Sequence, residues 1–97
     1  MKIIEKLCEY IEEEINDAAK YIKHALKIRD EYPDAAEMMN LLSAEEMKHM
    51  QMLHNQVVKI IENYRKMVGE PPAEMLAVYD YLHQKYIEEA KAVKVLQ

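Results

Sequence analysis

Apolar residues recur every three or four positions along most of this chain, a spacing that predicts amphipathic α-helices. In the first segment they form one stripe, made up of Ile4, Leu7, Ile11, Ala18, Tyr21, Ala25 and Ile28. Pro33 disfavours helical geometry at the residue before it, so the chain should turn there. A first helix is therefore predicted over about residues 2–29.

A second helix is predicted over about residues 35–67, with Asp34 as its N-terminal cap, or Asp30 if the turn is shorter. Two apolar stripes run along it. The first stripe contains Met38, Leu42, Leu53, Ile60, Tyr64 and Met67, and the second contains Met39, Met47, Met50, Val57 and Ile61. Because one neighbouring helix cannot cover so wide an apolar surface, we expect contacts with two neighbours, or with one neighbour and another subunit.

The segment from Gly69 to Pro72 interrupts the pattern again, because glycine favours a left-handed helix end and proline cannot continue a helix. A third helix is predicted over about residues 73–97, with the stripe Met75, Tyr79, Leu82, Tyr86, Val93 and Leu96. The chain is thus predicted to be a single all-α domain, residues 1–97, built as a three-helix antiparallel array.

Composition narrows the classes of function. Hydrophobic residues make up 51% of the chain and charged residues 32%, a mixture that suits amphipathic helices rather than a disordered chain. The net charge is −5 with basic residues interleaved among acidic ones, so nucleic acid is not an expected partner. The single cysteine, Cys8, excludes a four-cysteine iron site within one chain. With no long apolar run and no signal-peptide pattern, we expect a cytoplasmic protein that does not bind membranes.

Three charged residues interrupt the apolar stripes. Glu14 follows Ile11 by three positions, Glu46 follows Leu42 by four, and His49 follows Glu46 by three. This spacing predicts inward positions, where an unpaired carboxylate is costly unless it is paired or binds a metal. If the first two helices fold back about the turn near residues 30–32, Glu14 lies level with the other two.

Two carboxylates and an imidazole at one height inside a helix bundle are typical of an iron or manganese site. The alternative is a buried Glu–His polar network that only fixes the register of the helices. Glu-x-x-His spacing alone does not separate these two interpretations, because so glutamate-rich a sequence produces it by chance.

Residues 14–21 (EINDAAKY) and 43–49 (SAEEMKH) together resemble the first half of the rubrerythrin and ferritin-like di-iron superfamily. Members carry an inward Glu on one helix, often with a Tyr seven residues later, as Tyr21 follows Glu14. Their next helix carries Glu-x-x-His, often with another Glu before it, as Glu45 precedes Glu46. The resemblance implies a site with two iron ions, or manganese, bound by Glu14, Glu46 and His49, with Glu46 bridging. It also implies ferroxidase-like or peroxidase-like oxidation of ferrous iron by dioxygen or peroxide.

The chain departs from the family by having three helices and no second copy of the motif. Asp80-x-x-His83 has the right spacing, but His83 should lie too far along the bundle axis to reach the cluster. Glu89 is nearly level with the cluster and is a candidate additional ligand.

A second subunit would complete a four-helix bundle, as in encapsulated ferritins, which are similar in length and share a di-iron site between subunits. We therefore expect a homodimer or higher homo-oligomer. The competing hypothesis is a non-enzymatic helical interaction module.

Overall fold

A computed structural model describes residues 2–97 of the protein, apart from the side chain of Val78. These residues form three α-helices, α1 (Lys2–Ile28), α2 (Pro33–Met67) and α3 (Ala73–Leu96). The all-α class and the three helices are as predicted, and every predicted boundary lies within two residues of the observed one. The molecule is a rod of 56 × 18 × 18 Å. Its length is set by the 35-residue α2, since a helix of that length spans about 52 Å.

The turn before α2 differs from the prediction. The helix begins at Pro33, and Tyr32 occupies the capping position without a side-chain hydrogen bond. Proline suits the first helical position, where its missing N–H would have no partner within the helix. Asp34 is therefore not a cap but lies in the first turn, where its charge complements the helix dipole. At the other end, Gly69 has a φ of 111°, a conformation that favours glycine, and the chain reverses there.

The buried face of α1 is rotated slightly from the predicted stripe. Leu7, Tyr21 and Ile28 lie at its edges and are only partly buried. Its core positions, each less than a tenth exposed, are Ile4, Cys8, Ile11, Ile15, Ala18, Ile22 and Ala25. The two sets share Ile4, Ile11, Ala18 and Ala25, but the alternate core positions are 8, 15 and 22 rather than 7, 14 and 21, which is one residue, or about 100°, further round the helix. Glu14 consequently lies beside the core face rather than at its centre.

The two stripes of α2 have different surroundings. The second stripe supplies the core contacts with α1, through Met47, Val57 and Ile61. In the first stripe, Met38 is 52% exposed and Met67 is 86% exposed. The first stripe is thus exposed at its two ends, whereas the four residues between them are partly buried, and Leu53 and Ile60 pack against the core.

Two small residues, Ala18 and Ser43, meet between α1 and α2, and both are fully buried. The Ser43 hydroxyl donates a hydrogen bond to the Ala18 carbonyl oxygen at 2.7 Å and accepts one from the Gln97 side-chain amide at 2.7 Å. Because the distance between two helices depends on the side chains between them, these small residues hold α1 and α2 close together.

The third helix packs mainly against α1 and has few contacts with α2. Its buried residues are Tyr86, Ala90 and Val93. Lys85 of α3 lies 3.8 Å from the carboxylate of Glu12 on α1. No helix within the described residues combines the length and apolar character needed to cross a lipid bilayer.

Candidate metal centre

The structure brings Glu14, Glu46 and His49 together. One potential ligand atom from each lies within 4.8 Å of the other two. The His49 Nδ1 atom is 3.6 Å from an oxygen of Glu14 and 3.8 Å from an oxygen of Glu46. Glu46 and His49 are neighbours on one side of α2 because three residues make almost one helical turn. Glu14 meets them from α1, so the cluster, called the triad below, spans the interface between the two helices.

The contact between Ala18 and Ser43 sets the register at the triad. Ala18 lies one turn after Glu14 on α1, and Ser43 lies one turn before Glu46 on α2. The hydrogen bond between Ser43 and Ala18 therefore fixes the two helices within one turn of the three side chains. The sequence pattern did not identify this role for Ser43, although a serine interrupting an apolar surface was a visible signal.

The triad is partly buried and opens to one side. The side chains of Glu14 and Glu46 are 25% and 19% exposed, whereas that of His49 is 53% exposed. The predicted core position of His49 is therefore wrong, because its side of α2 is not covered by α1 or α3. One Glu14 carboxylate oxygen, Oε2, is inaccessible to solvent and has no hydrogen-bond partner.

The electrostatics of the triad favour a bound cation. Glu14 raises the pKa of Glu46, first because the protonated form can hydrogen-bond to Glu14; burial and the like charge of Glu14 add to this effect. His49 acts in the opposite direction but does not cancel the shift. A buried carboxylate oxygen without a partner and a second carboxylate with a raised pKa are both stabilised when a metal ion lies between them. The donor set fits iron or manganese, which accept both carboxylate and imidazole ligands.

The structure does not bring Glu89 to the triad. Glu89 lines a separate cavity of about 200 Å³ between α1 and α3, together with Asn16 and Lys23. Glu12 and Asn16, which face α3, lie two positions before and after Glu14. Side chains two residues apart on a helix point to nearly opposite sides, so Glu14 points away from α3. The candidate role of Glu89 as a ligand is therefore not supported by its position.

The other residues considered from the sequence lie elsewhere. Cys8 is buried, and burial raises the pKa of its thiol, which keeps it protonated. His24 is exposed, and Tyr21 is half-buried two turns from Glu14. His83 lies away from the triad, as predicted, but contacts His54 on α2. The sequence pattern did not indicate that these two histidines pair.

Comparisons with protein families, with curated proteins and with solved structures find no match for this chain. The similarity to the ferritin-like superfamily therefore stays a prediction from the residues quoted above. Function has to be inferred from the chemistry of the triad and from the surfaces around it.

Proposed function

We propose that the protein is a ferritin-like metal-binding protein in which Glu14, Glu46 and His49 bind iron, with manganese as the alternative metal. The observation that carries this proposal is the buried Glu14 oxygen that makes no hydrogen bond, with the His49 Nδ1 atom 3.6 Å away and a second carboxylate beside it. A buried acceptor that makes no hydrogen bond destabilises the folded state, and a bound cation would remove that cost. The half-exposed His49 leaves a path to the site for small molecules.

Bound ferrous iron would supply electrons to dioxygen or peroxide, which makes the proposed activity ferroxidase-like or peroxidase-like. The three residues of the triad would have different roles. Glu14 and Glu46 would balance the positive charge of the metal. His49 would contribute a nitrogen ligand at the open side of the site, where an oxidant would approach.

A second copy of the chain would complete the site in an antiparallel, ferritin-like bundle. The triad opens toward a line of exposed apolar residues on α2, which we call the open stripe: Met38, Leu41 and Met52. His49 lies on the same side of the helix, between Leu41 and Met52, at helical spacing. A partner that covered the open stripe would therefore bring its own Glu and His residues close to the triad, and would bury apolar surface as it did so.

Anaerobic titration with ferrous iron, followed by exposure to air, tests the proposed function. Metal analysis of the desalted protein gives the number of bound ions, and near-ultraviolet absorbance follows their oxidation. We expect stoichiometric iron binding and oxidation faster than that of free ferrous iron in the same buffer. A protein that binds neither iron nor manganese would rule out the proposed function.

If a second copy of the chain completes the site, metal binding and self-association should depend on each other, and a change in the open stripe should affect both. Met52→Glu should weaken association and lower iron loading, because Met52 is 67% exposed in the single chain and its charge would be placed within the contact. Val95→Glu on α3 is the matched control, since Val95 is also exposed, at 85%, but lies off the open stripe. Light scattering and metal analysis measure the two effects. A stable wild-type monomer that binds iron fully would contradict the shared site while leaving a single-chain site intact.

The stability of the metal-free protein distinguishes two hypotheses for the triad, a metal site and a structural Glu–His network. The raised pKa of Glu46 means that its ionisation destabilises the fold; this effect is fully present above the folded-state pKa and disappears below the unfolded-state pKa. Glu14→Gln should therefore leave the melting temperature at neutral pH unchanged or raise it, because it removes a like charge. Thermal unfolding followed by circular dichroism in a chelating buffer measures this. A fall of several degrees would instead favour the structural network.

A further inference from the structure

Two histidines from different helices meet on the side of the molecule where α2 and α3 face each other. The Nε2 atom of His54 lies 2.9 Å from the Nδ1 atom of His83. The ring centres are 4.6 Å apart, so the two nitrogens are closer to each other than the rings are. Both side chains are partly buried, and the ring of Tyr79 stacks on His83 at 5.6 Å. The two nitrogens are within hydrogen-bond distance, so one imidazole donates a hydrogen bond to the other between the two helices.

We propose that His54 and His83 form a second metal site, which binds a divalent late transition metal such as zinc through one imidazole nitrogen from each helix. Two nitrogens bound to one zinc ion at about 2.0–2.1 Å in a tetrahedral or square arrangement lie roughly 2.9–3.4 Å apart. The observed separation is within that range, and a bound ion would replace the hydrogen bond between the rings once both facing nitrogens are unprotonated. Water would occupy the remaining coordination positions.

The surroundings of the pair suit this class of ion. A groove of about 330 Å³ leads to the two histidines and gives a hydrated metal access to them. Burial lowers the pKa of His54, and the neighbouring His83 lowers it further, so the imidazole is neutral at neutral pH. Neutral imidazole is the form that binds metal. No carboxylate joins the pair as a close third ligand among the described residues, which favours zinc, nickel or copper over the oxygen-preferring metals.

An ion at this position would connect two helices that otherwise have few contacts. The third helix packs mainly on α1, and the histidine pair is one of the polar links between α2 and α3. A metal bound by both helices stabilises the folded state, because the separated histidines of the unfolded chain bind it less tightly. The stabilisation increases with the metal concentration relative to the dissociation constant of the folded protein. The site is independent of the triad and of the function proposed for it.

Zinc binding by a chain that lacks the triad ligands Glu46 and His49 tests the proposal. In the Glu46→Ala/His49→Ala background, we expect one zinc ion per chain by equilibrium dialysis and a rise in melting temperature on adding zinc. Adding His83→Asn should weaken zinc binding by at least about tenfold and abolish the thermal shift. Asparagine keeps a planar polar side chain beside Tyr79, so this change should preserve the packing of α3. Far-UV circular dichroism checks that it does.

The matched control is His24→Ala in the same background, because His24 is an exposed histidine away from the pair. It should leave zinc binding unchanged, whereas His54→Ala should reproduce the effect of His83→Asn. The proposal is overturned if the background variant binds no zinc, or if zinc binding survives both His83→Asn and His54→Ala. Because two of the three triad ligands, Glu46 and His49, are absent from every one of these variants, their result does not depend on whether iron binds at the triad.

Discussion

Replacing Glu46 with alanine should abolish iron binding while leaving the helices intact. Glu46 contacts the carboxylate of Glu14 across the helix interface and the imidazole of His49 on its own helix. Removing even a hydrogen-bond partner of a metal ligand costs about 10–100-fold in metal affinity, so removing this ligand should cost more than about a hundredfold. Metal analysis after desalting and far-UV circular dichroism measure the two parts of this prediction.

Glu45→Ala is the matched control for this change. It removes the same charge from the adjacent position, but Glu45 is exposed and lies outside the triad. Glu89→Ala is a second control, because Glu89 lines the cavity on the far side of α1. Both variants should bind as much iron as the wild type. Full iron occupancy in Glu46→Ala, or loss of iron in Glu89→Ala alone, would show that the triad is not the metal site.

The helices were predictable because strong helix formers and a few breakers decide them locally. Pro33, Gly69 and the prolines after it are the main interruptions, and the turns occur beside them. The level position of Glu14 with Glu46 and His49 followed from the same information, since a short turn fixes the register of the two helices it joins. These features depend on residues that are close in sequence, so they can be predicted from the pattern along the chain.

The exposure of His49 and the position of Glu89 could not be predicted in the same way. Both depend on which side of α1 the third helix occupies, and the connection through residues 68–72 leaves that choice to tertiary packing. Once α3 lies beside Glu12 and Asn16, Glu14 must face away from it, and the triad is left open. The pairing of His54 with His83 depends on the same packing, so neither histidine signals it alone.

Enlarging Ser43 to leucine should destabilise the protein and disrupt the triad at the same time. Ser43 and Ala18 are both fully buried, so added methyl groups have no space unless α1 and α2 move apart. Overpacking costs about 1–3 kcal/mol, and the lost hydrogen bond to the Ala18 carbonyl adds about 1 kcal/mol. For a domain of this size, the melting temperature should fall by roughly 10–25 °C, as measured by thermal unfolding of the metal-free protein.

Two other variants show whether the effect comes from helix spacing. Ser43→Ala removes the hydroxyl without adding volume, so it should cost only about 1 kcal/mol and leave iron binding close to normal. Asn40→Leu adds the same leucine at an exposed position one turn earlier on α2, where it should change stability by less than about 0.5 kcal/mol. In Ser43→Leu, separated helices would move Glu14 away from Glu46 and His49, so iron affinity should fall even at temperatures where the variant is folded. Normal iron binding by a folded Ser43→Leu protein would mean that the ligands do not come from two helices held together at this contact.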